Sequence, residues 1–321
     1  MCPPQQEESE SDCTEIGIGM RIDVEHLFNC CSCSKSMGFR EIISESTGIE
    51  GNKIPDGYQV IGNIMLLKFL TRMDVPAPIS KAKKTVIAKS CLDNFPNIET
   101  VCEIKGVKGE LRQPKTGFLA SRLSKPTFET IHKESSLEYK LDVSKIMFSK
   151  GNLNERQRLI GMIQKSEVIV DMFAGIGYFS LGLAKFSPAL RIYSIEKNPV
   201  SFRYLKENIR LNKIDNVMVK KGDCRKIKLR EKADRVIMGY FPNTGKFLPY
   251  ALDFLKEKGV IHYHNLYHEI DLWSKPLKEI EKALEKRRFR LTSIMGQNFV
   301  KSYAPGIWHV CLDFSVERID A

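Results

Sequence analysis

From Val168 onward the chain alternates short apolar runs with helix-period stretches, and this alternation constrains the fold more than any other feature of its 321 residues. Val168-Ile-Val-Asp171 reads as a buried strand, Tyr178–Phe186 as the helix after a glycine turn, and Arg191–Glu196 as the second strand. Asn198-Pro199 then supplies a helix cap and a proline at the first helical position. Asn216–Val219, Ala233–Met238 and Gly259–Tyr263 read as strands three to five, with helical stretches near 244–257 and 268–287. Two strand-like runs, about 289–299 and 307–316, close the chain. Apolar strands separated by helices pack as a mostly parallel sheet covered on both faces. Residues 149–321 are therefore expected to form a Rossmann-like, doubly wound α/β sheet with a late antiparallel hairpin.

The stretch 54–148 has a different texture. Tyr58–Leu67 is strand-like after a Pro-Asp-Gly turn signal, and Thr85–Ala88, Thr100–Ile104 and Leu137–Asp142 look like further short strands. A small α+β domain is expected there. Residues 21–53 suggest no definite structure, and the acidic, polar segment 1–20 reads as a disordered tail. That tail holds five acids and no Lys or Arg, the reverse of a secretory leader. No apolar run approaches the ~18 residues of a spanning helix. A soluble, cytoplasmic protein is expected.

Fifty basic against 39 acidic residues leave +11, and because the tail is acidic the remainder carries +16. Such an excess favours a polyanionic partner, nucleic acid ahead of membrane, since no basic amphipathic helix stands out. Of nine cysteines, six are scattered, as suits unpaired thiols in a reducing compartment. Cys30, Cys31 and Cys33 cluster near His26, but adjacent cysteines rarely face one ion, so no metal is expected.

The loop Asp171-Met-Phe-Ala-Gly175-Ile-Gly177 follows the first strand, at the carboxyl end where open α/β sheets bind ligands. Glycines let backbone approach a ligand closely. A dinucleotide fingerprint needs a third glycine where this chain has Ser180, and Asp171 sits badly beside a pyrophosphate. An acidic strand end suits a positively charged ligand such as S-adenosylmethionine. Glu196 ends the second strand, where a carboxylate accepts ribose hydroxyls, and Gly222-Asp223-Cys224 follows the third, where a carboxylate and a backbone N–H read adenine. Three such corners at three successive strand ends point to S-adenosylmethionine as co-substrate, held at Phe173, Gly175, Glu196, Asp223 and Cys224. The expected fold is thus the class I S-adenosylmethionine-dependent one.

Three longer motifs carry a family resemblance: Ile54-Pro-Asp-Gly-Tyr-Gln-Val-Ile-Gly62, Gly106-Val-Lys-Gly-Glu-Leu-Arg112 and Lys301-Ser-Tyr-Ala-Pro-Gly-Ile-Trp-His309. With them the chain, from about Ile54 to Asp313, resembles the tRNA-modifying enzymes that act on the guanosine just 3′ of the anticodon. Two branches share this plan, the tRNA guanine N1-methyltransferases and the aminocarboxypropyltransferases of wybutosine synthesis. Met147-Phe-Ser-Lys-Gly-Asn-Leu-Asn-Glu-Arg156 is similar to the second branch. So is Met238-Gly-Tyr-Phe-Pro-Asn243, where the methyltransferases carry Asn-Leu-Pro, and Tyr178 points the same way. The resemblance implies that Ser149 and Arg156 contact the co-substrate, Glu196 its ribose, and Asp223 with the Cys224 backbone its adenine. It also implies a 4-demethylwyosine aminocarboxypropyltransferase acting on the anticodon stem-loop of tRNA-Phe, with no role for DNA or membrane. The methyltransferase activity and a tRNA-binding protein without catalysis are the alternatives. The elbow-binding domain of longer methyltransferases is expected to be missing, and no oligomer is indicated.

Displacement from a preactivated sulfonium depends on positioning, so no general base is assigned. Asp171, Tyr240 and Asn243 are candidates for orienting the reacting groups, and Phe173, Tyr178, Tyr240 and Phe241 for stacking on an extruded base. His262 and His264 share an orientation by the period of two, facing either the pocket or the core. Lys81, Lys83 and Lys84, the Lys220–Lys221 pair and the basic run 285–290 are candidates for phosphate contacts.

Overall fold

A computed structural model describes residues 37–69, 79–109 and 112–319. The expected acidic tail and the Cys30, Cys31 and Cys33 cluster lie outside these residues.

The first layer is a four-stranded sheet with two helices. Helix α1 (Phe39–Thr47) precedes strands β1 (Tyr58–Ile61) and β2 (Ile64–Leu67), a hairpin turned by Gly62 at φ +56°. Helix α2 (Lys81–Asn94) leads to β3 (Thr100–Lys108), which pairs parallel to β2 and antiparallel to β4 (Gln113–Ser121). Alternation along β2 divides the packing. Met65 and Leu67 face α1 and α2 in a core with Ile43, Ile87, Ala88 and Cys91, while Ile64 and Leu66 face the opposite way.

Two expectations change here. Thr85–Ala88 is not a strand but the middle of α2: the Ser80 hydroxyl accepts from the Lys83 N–H as N-cap, and Ile87, Ala88, Cys91 and Leu92 form one buried helical face. Residues 39–47, which suggested no structure, form α1, and its Ile43 is wholly buried.

The hairpin β5 (Glu129–Glu134) and β6 (Leu137–Asp142) joins this layer to the large sheet. Leu137, Tyr139 and Leu141 share one core with Ile61, Ile64 and Leu66 of the first layer and with Ile176, Leu181 and Tyr204 of the second. The free edge of β6 is clasped by α5 (Pro199–Leu211) and the residue after it. Asn208 Oδ1 accepts from Lys140 N at 2.7 Å, and Asn212 Oδ1 accepts from Glu138 N at 2.9 Å. Their amides donate back to the Lys140 and Glu138 carbonyls, so side chains one turn apart satisfy backbone that would otherwise be a bare edge.

Helix α3 (Leu153–Gly161) enters the large sheet. Its strands are β7 (Val168–Asp171), β8 (Arg191–Glu196), β9 (Val217–Lys221), β10 (Ala233–Met238), β11 (Leu255–His268), β12 (Phe289–Ala304) and β13 (Ile307–Arg318). Helices α4 (Ser180–Phe186), α6 (Leu248–Phe254) and α7 (Ser274–Arg287), with α5, connect them. The spatial order is β12-β13-β11-β10-β7-β8-β9, with β7 to β11 parallel and β13 antiparallel to both β11 and β12. The doubly wound sheet with a late hairpin therefore holds, each closing strand extending past its expected end. The chain leaves β7 toward β8 and returns on the other side through β10, which opens a crevice at their carboxyl ends.

Candidate active site

The loop after β7 is shaped by its glycines. Gly175 stands at φ +59°, and a Cβ there would lie 2.6 Å from the Tyr178 ring; Gly177 stands at φ +102°, where a Cβ would lie 2.6 Å from Leu181 Cγ. Only glycine fits both the conformation and the space. The Tyr178 hydroxyl donates to the Met147 carbonyl at 2.6 Å, tying the loop to the segment that enters α3.

A cleft opens above this loop. It is lined by Ser149, Arg156, Phe173, Gly175, Glu196, Asp223, Cys224 and Tyr240, eight of the ten residues expected in the site. Glu196 Oε2 accepts from Gly175 N at 2.7 Å and Oε1 from Asn198 N at 2.6 Å. Burial pushes its carboxyl up to about 7 against these bonds, with the Asp171 charge adding to the rise. Asp223 has the opposite environment. Two bonds from the Arg225 guanidinium, at 2.9 and 2.6 Å, hold its carboxyl well below the usual range.

Phe173, Tyr240 and Phe247 form an aromatic wall, with Phe173 stacked on Tyr240 at 5.1 Å and edge-on to Phe247 at 5.0 Å. The floor near α3 holds Arg156, whose guanidinium pairs with Glu134 at 2.5 Å, donates to the Ser149 carbonyl at 2.9 Å and lies against Phe148 and Tyr178. Its Nε and the Asn152 Oδ1, both buried, have no hydrogen-bond partner among the described residues.

Asp171 and Asn243 stand outside this lining. Asp171 is completely buried, accepting from Ser180 Oγ at 2.6 Å and Phe173 N at 3.3 Å, and burial pushes its carboxyl up to about 6. Both carboxylate oxygens are used to shape the loop, so it acts behind the cleft. Asn243 is exposed, in left-handed conformation at φ +65°, and stands at the N-cap position of the short helical turn Thr244–Phe247 without a side-chain cap bond. His262 and His264 face the core. His262 bonds Asp313 at 2.5 Å and Arg235 at 2.8 Å, and His264 meets His309 at 3.2 Å. Glu155, His264 and Cys311 have the spacing of a metal triad, but Arg158 already donates to Glu155 at 2.7 Å and approaches Cys311 at 3.5 Å, filling the place of a cation.

Sequence reasoning missed Arg112, Lys301 and Tyr303 as lining residues. Arg112, just before β4, donates to the Phe241 carbonyl at 3.0 Å with its guanidinium 4.8 Å from that ring. Lys301, on edge strand β12, donates to Ser149 Oγ at 2.7 Å. Both lie in motifs already noted for their length, Gly106–Arg112 and Lys301–His309. What was missing was the fold that brings these distant segments to one mouth.

Of the basic runs, Lys81 and Lys83 are exposed on α2, while Lys84 pairs with Glu103. Lys221 stands opposite Glu196 in register, at the carboxyl end of the sheet. The run 285–290 lies at the other end of the sheet, with Arg287 on Asp253 and Arg290 on Glu317. Among the described residues no helix is long and apolar enough to cross a membrane.

A parallel sheet of this order with acidic and glycine corners on successive strand ends defines an S-adenosylmethionine-dependent transferase of the class I type. Residues 130–292 match the TRM5/TYW2 methyltransferase domain, and residues 39–121 match the TYW2 N-terminal domain. A Methanocaldococcus jannaschii protein named tRNA(Phe) (4-demethylwyosine(37)-C(7)) aminocarboxypropyltransferase is 46% identical over 213 residues, 66% of this chain and 84% of that protein. The crystal structure of M. jannaschii TYW2 in complex with AdoMet is 37% identical, covers 82% of this chain and 100% of its own, and superposes with a TM-score of 0.64. That of Pyrococcus horikoshii TYW2 in complex with MeSAdo is 32% identical, covering 88% and 98%, with a TM-score of 0.72. The chain belongs to the TRM5/TYW2 family of tRNA-modifying transferases.

Proposed function

We propose that this chain transfers the 3-amino-3-carboxypropyl group of S-adenosylmethionine to C7 of 4-demethylwyosine, the tricyclic base 3′ of the anticodon in tRNA-Phe. The observation that carries this reading is the convergence of Gly175, Glu196 and Asp223 with Ser149 and Arg156 on one cleft. The orphaned Asn152 Oδ1 and Arg156 Nε are an acceptor and a donor at the end where an amino acid moiety would lie, so the residues fit the co-substrate.

In this reading Glu196, fixed by two backbone N–H groups, accepts the ribose hydroxyls, and the Cys224 backbone with Asp223 meets the adenine. Ser149 and Arg156 hold the methionine end and aim its γ-carbon, rather than the methyl, at the incoming base. Phe173 and Tyr240 present π-faces to that base, which leaves its stack to reach them. Asp171 holds the loop from behind through Ser180 and Phe173 N, and Asn243 sets the turn that carries Phe247. Arg112 adds positive charge at the mouth, where the RNA backbone enters.

The reading is tested by the small-molecule product. Incubated with S-adenosylmethionine and tRNA carrying 4-demethylwyosine, the protein should release methylthioadenosine. Release of S-adenosylhomocysteine would assign it to methyl transfer instead.

A further inference from the structure

Transfer to C7 makes a carbon–carbon bond at a ring position that carries hydrogen, so a proton must leave. We propose that Lys301, as its uncharged amine, accepts that proton; the proposal rests on the aminocarboxypropyl reading above. C7 attacks the γ-carbon, the C7–Cγ bond forms, and the Cγ–S bond breaks with its electron pair remaining on sulfur as neutral methylthioadenosine. The C7–H pair then returns to the ring while the proton passes to Lys301 Nζ, giving an ammonium that later loses it to solvent.

Geometry selects this residue. Lys301 Nζ stands 2.7 Å from Ser149 Oγ, beside the group that holds the electrophilic end of the co-substrate in the reading above. The way in is kept clear by Gly151, where a Cβ would lie 3.3 Å from Lys301 Cδ and 3.4 Å from Nζ. Several other titratable groups of the cleft are committed, Lys145 to Asp142 at 2.9 Å among them. Glu196 accepts from two backbone N–H groups, Asp223 is clasped by Arg225, and the Tyr178 hydroxyl is spent on the Met147 carbonyl. Arg112 is itself occupied, donating to the Phe241 carbonyl at 3.0 Å.

The surroundings favour an uncharged amine. The charged groups that face Lys301 are Arg112, from the approach to β4, and Arg156, from α3; His309 of β13 lies behind, kept neutral by burial. Among the described residues no carboxylate pairs with it. Burial, and then the two guanidiniums, lower its pKa from the ordinary lysine value.

The test compares the wild type with Lys301→Gln and Lys301→Arg. Single-turnover transfer of carboxyl-labelled co-substrate to 4-demethylwyosine tRNA should fall about 10²- to 10⁴-fold in both variants. Calorimetric affinity for the co-substrate should change less than about threefold, which also shows that the variants fold. The wild-type rate should rise with pH to a plateau, and the variants should lose that limb. An independent readout is the Lys301 resonance in protein labelled with carbon-13 at lysine Cε, identified by its absence from Lys301→Arg. Its titration midpoint should lie below that of ordinary lysines. A Lys301→Arg variant at the wild-type rate, or an ordinary midpoint, would overturn the base role while leaving the transfer reading intact. A wild type that moves no carboxyl label would overturn both.

Discussion

Glu196 and Gly175 are joined by a 2.7 Å hydrogen bond from the glycine N–H to carboxylate Oε2, so the residue that ends β8 also fixes the loop that follows β7. One carboxylate thereby couples the shape of the cleft to its charge. Its elevated pKa, about 7, makes that coupling sensitive to pH.

Co-substrate binding should therefore depend on pH. Below about 7 the ligand-free Glu196 carries a proton that it must lose to accept two ribose hydroxyls, so affinity should fall as pH drops, approaching tenfold per unit. Calorimetry from pH 5.5 to 8.5 checks this. Glu196→Gln should weaken binding about 10- to 100-fold, as loss of a hydrogen bond to a charged group implies, and should flatten the pH dependence.

Stability should move with pH in the opposite sense. The folded, ligand-free protein holds protons on Asp171 up to about 6 and on Glu196 up to about 7, above the ordinary values of 3.8 and 4.5. Their contribution is therefore fully present below pH ~4 and is lost as pH rises through those folded values. Urea melts at pH 4, 5, 6 and 7 should show this decline, and Asp171→Asn should remove the lower part of it. A wild type and Asn variant with parallel profiles would show that Asp171 does not titrate in this range.

The buried network behind the cleft should be costly to break. Asp313 accepts from Arg158 at 2.6 Å and His262 at 2.5 Å, and Arg235 extends the chain to Glu167. Asp313→Ala takes the acceptor from the buried His262 ring and from the partly buried Arg158 and Asn298, and about 3–5 kcal/mol of stability should be lost by denaturant unfolding.

RNA contacts should be uneven among the basic runs. Replacing Lys81 and Lys83 by alanine should reduce the dependence of log affinity on log salt by about one for each lysine. The same change at Arg287 and Arg290 should leave it unaltered, because both are paired with acids at the far end of the sheet. Binding isotherms between 50 and 300 mM salt separate the two cases.

Much of this fold was legible because its signals are local. Val168–Asp171, the Gly175-Ile-Gly177 turn and the Asn198 cap each declare themselves within a few residues, and the alternation between them dictates the parallel sheet. Helix α2 was misread because Thr85-Val-Ile is β-branched, whereas the Ser80 cap and the face at Ile87, Ala88, Cys91 and Leu92 decide its state. Asp171 looked like a cleft residue by its place at a strand end, yet direction along a strand is a matter of packing, and Ser180 lies on its side. Arg112 and Lys301 reach the site from 60 residues before the loop and more than 120 after it, distances that no periodicity encodes.

The central claim is tested most directly with two co-substrate labels, one on the methyl carbon and one on the carboxyl carbon. Each is incubated with tRNA bearing 4-demethylwyosine and with tRNA bearing unmodified guanosine, and label entering RNA is counted. The account predicts carboxyl label in the tricyclic substrate and none of the methyl label in either. Methyl label in the guanosine tRNA, with no carboxyl transfer, would contradict it.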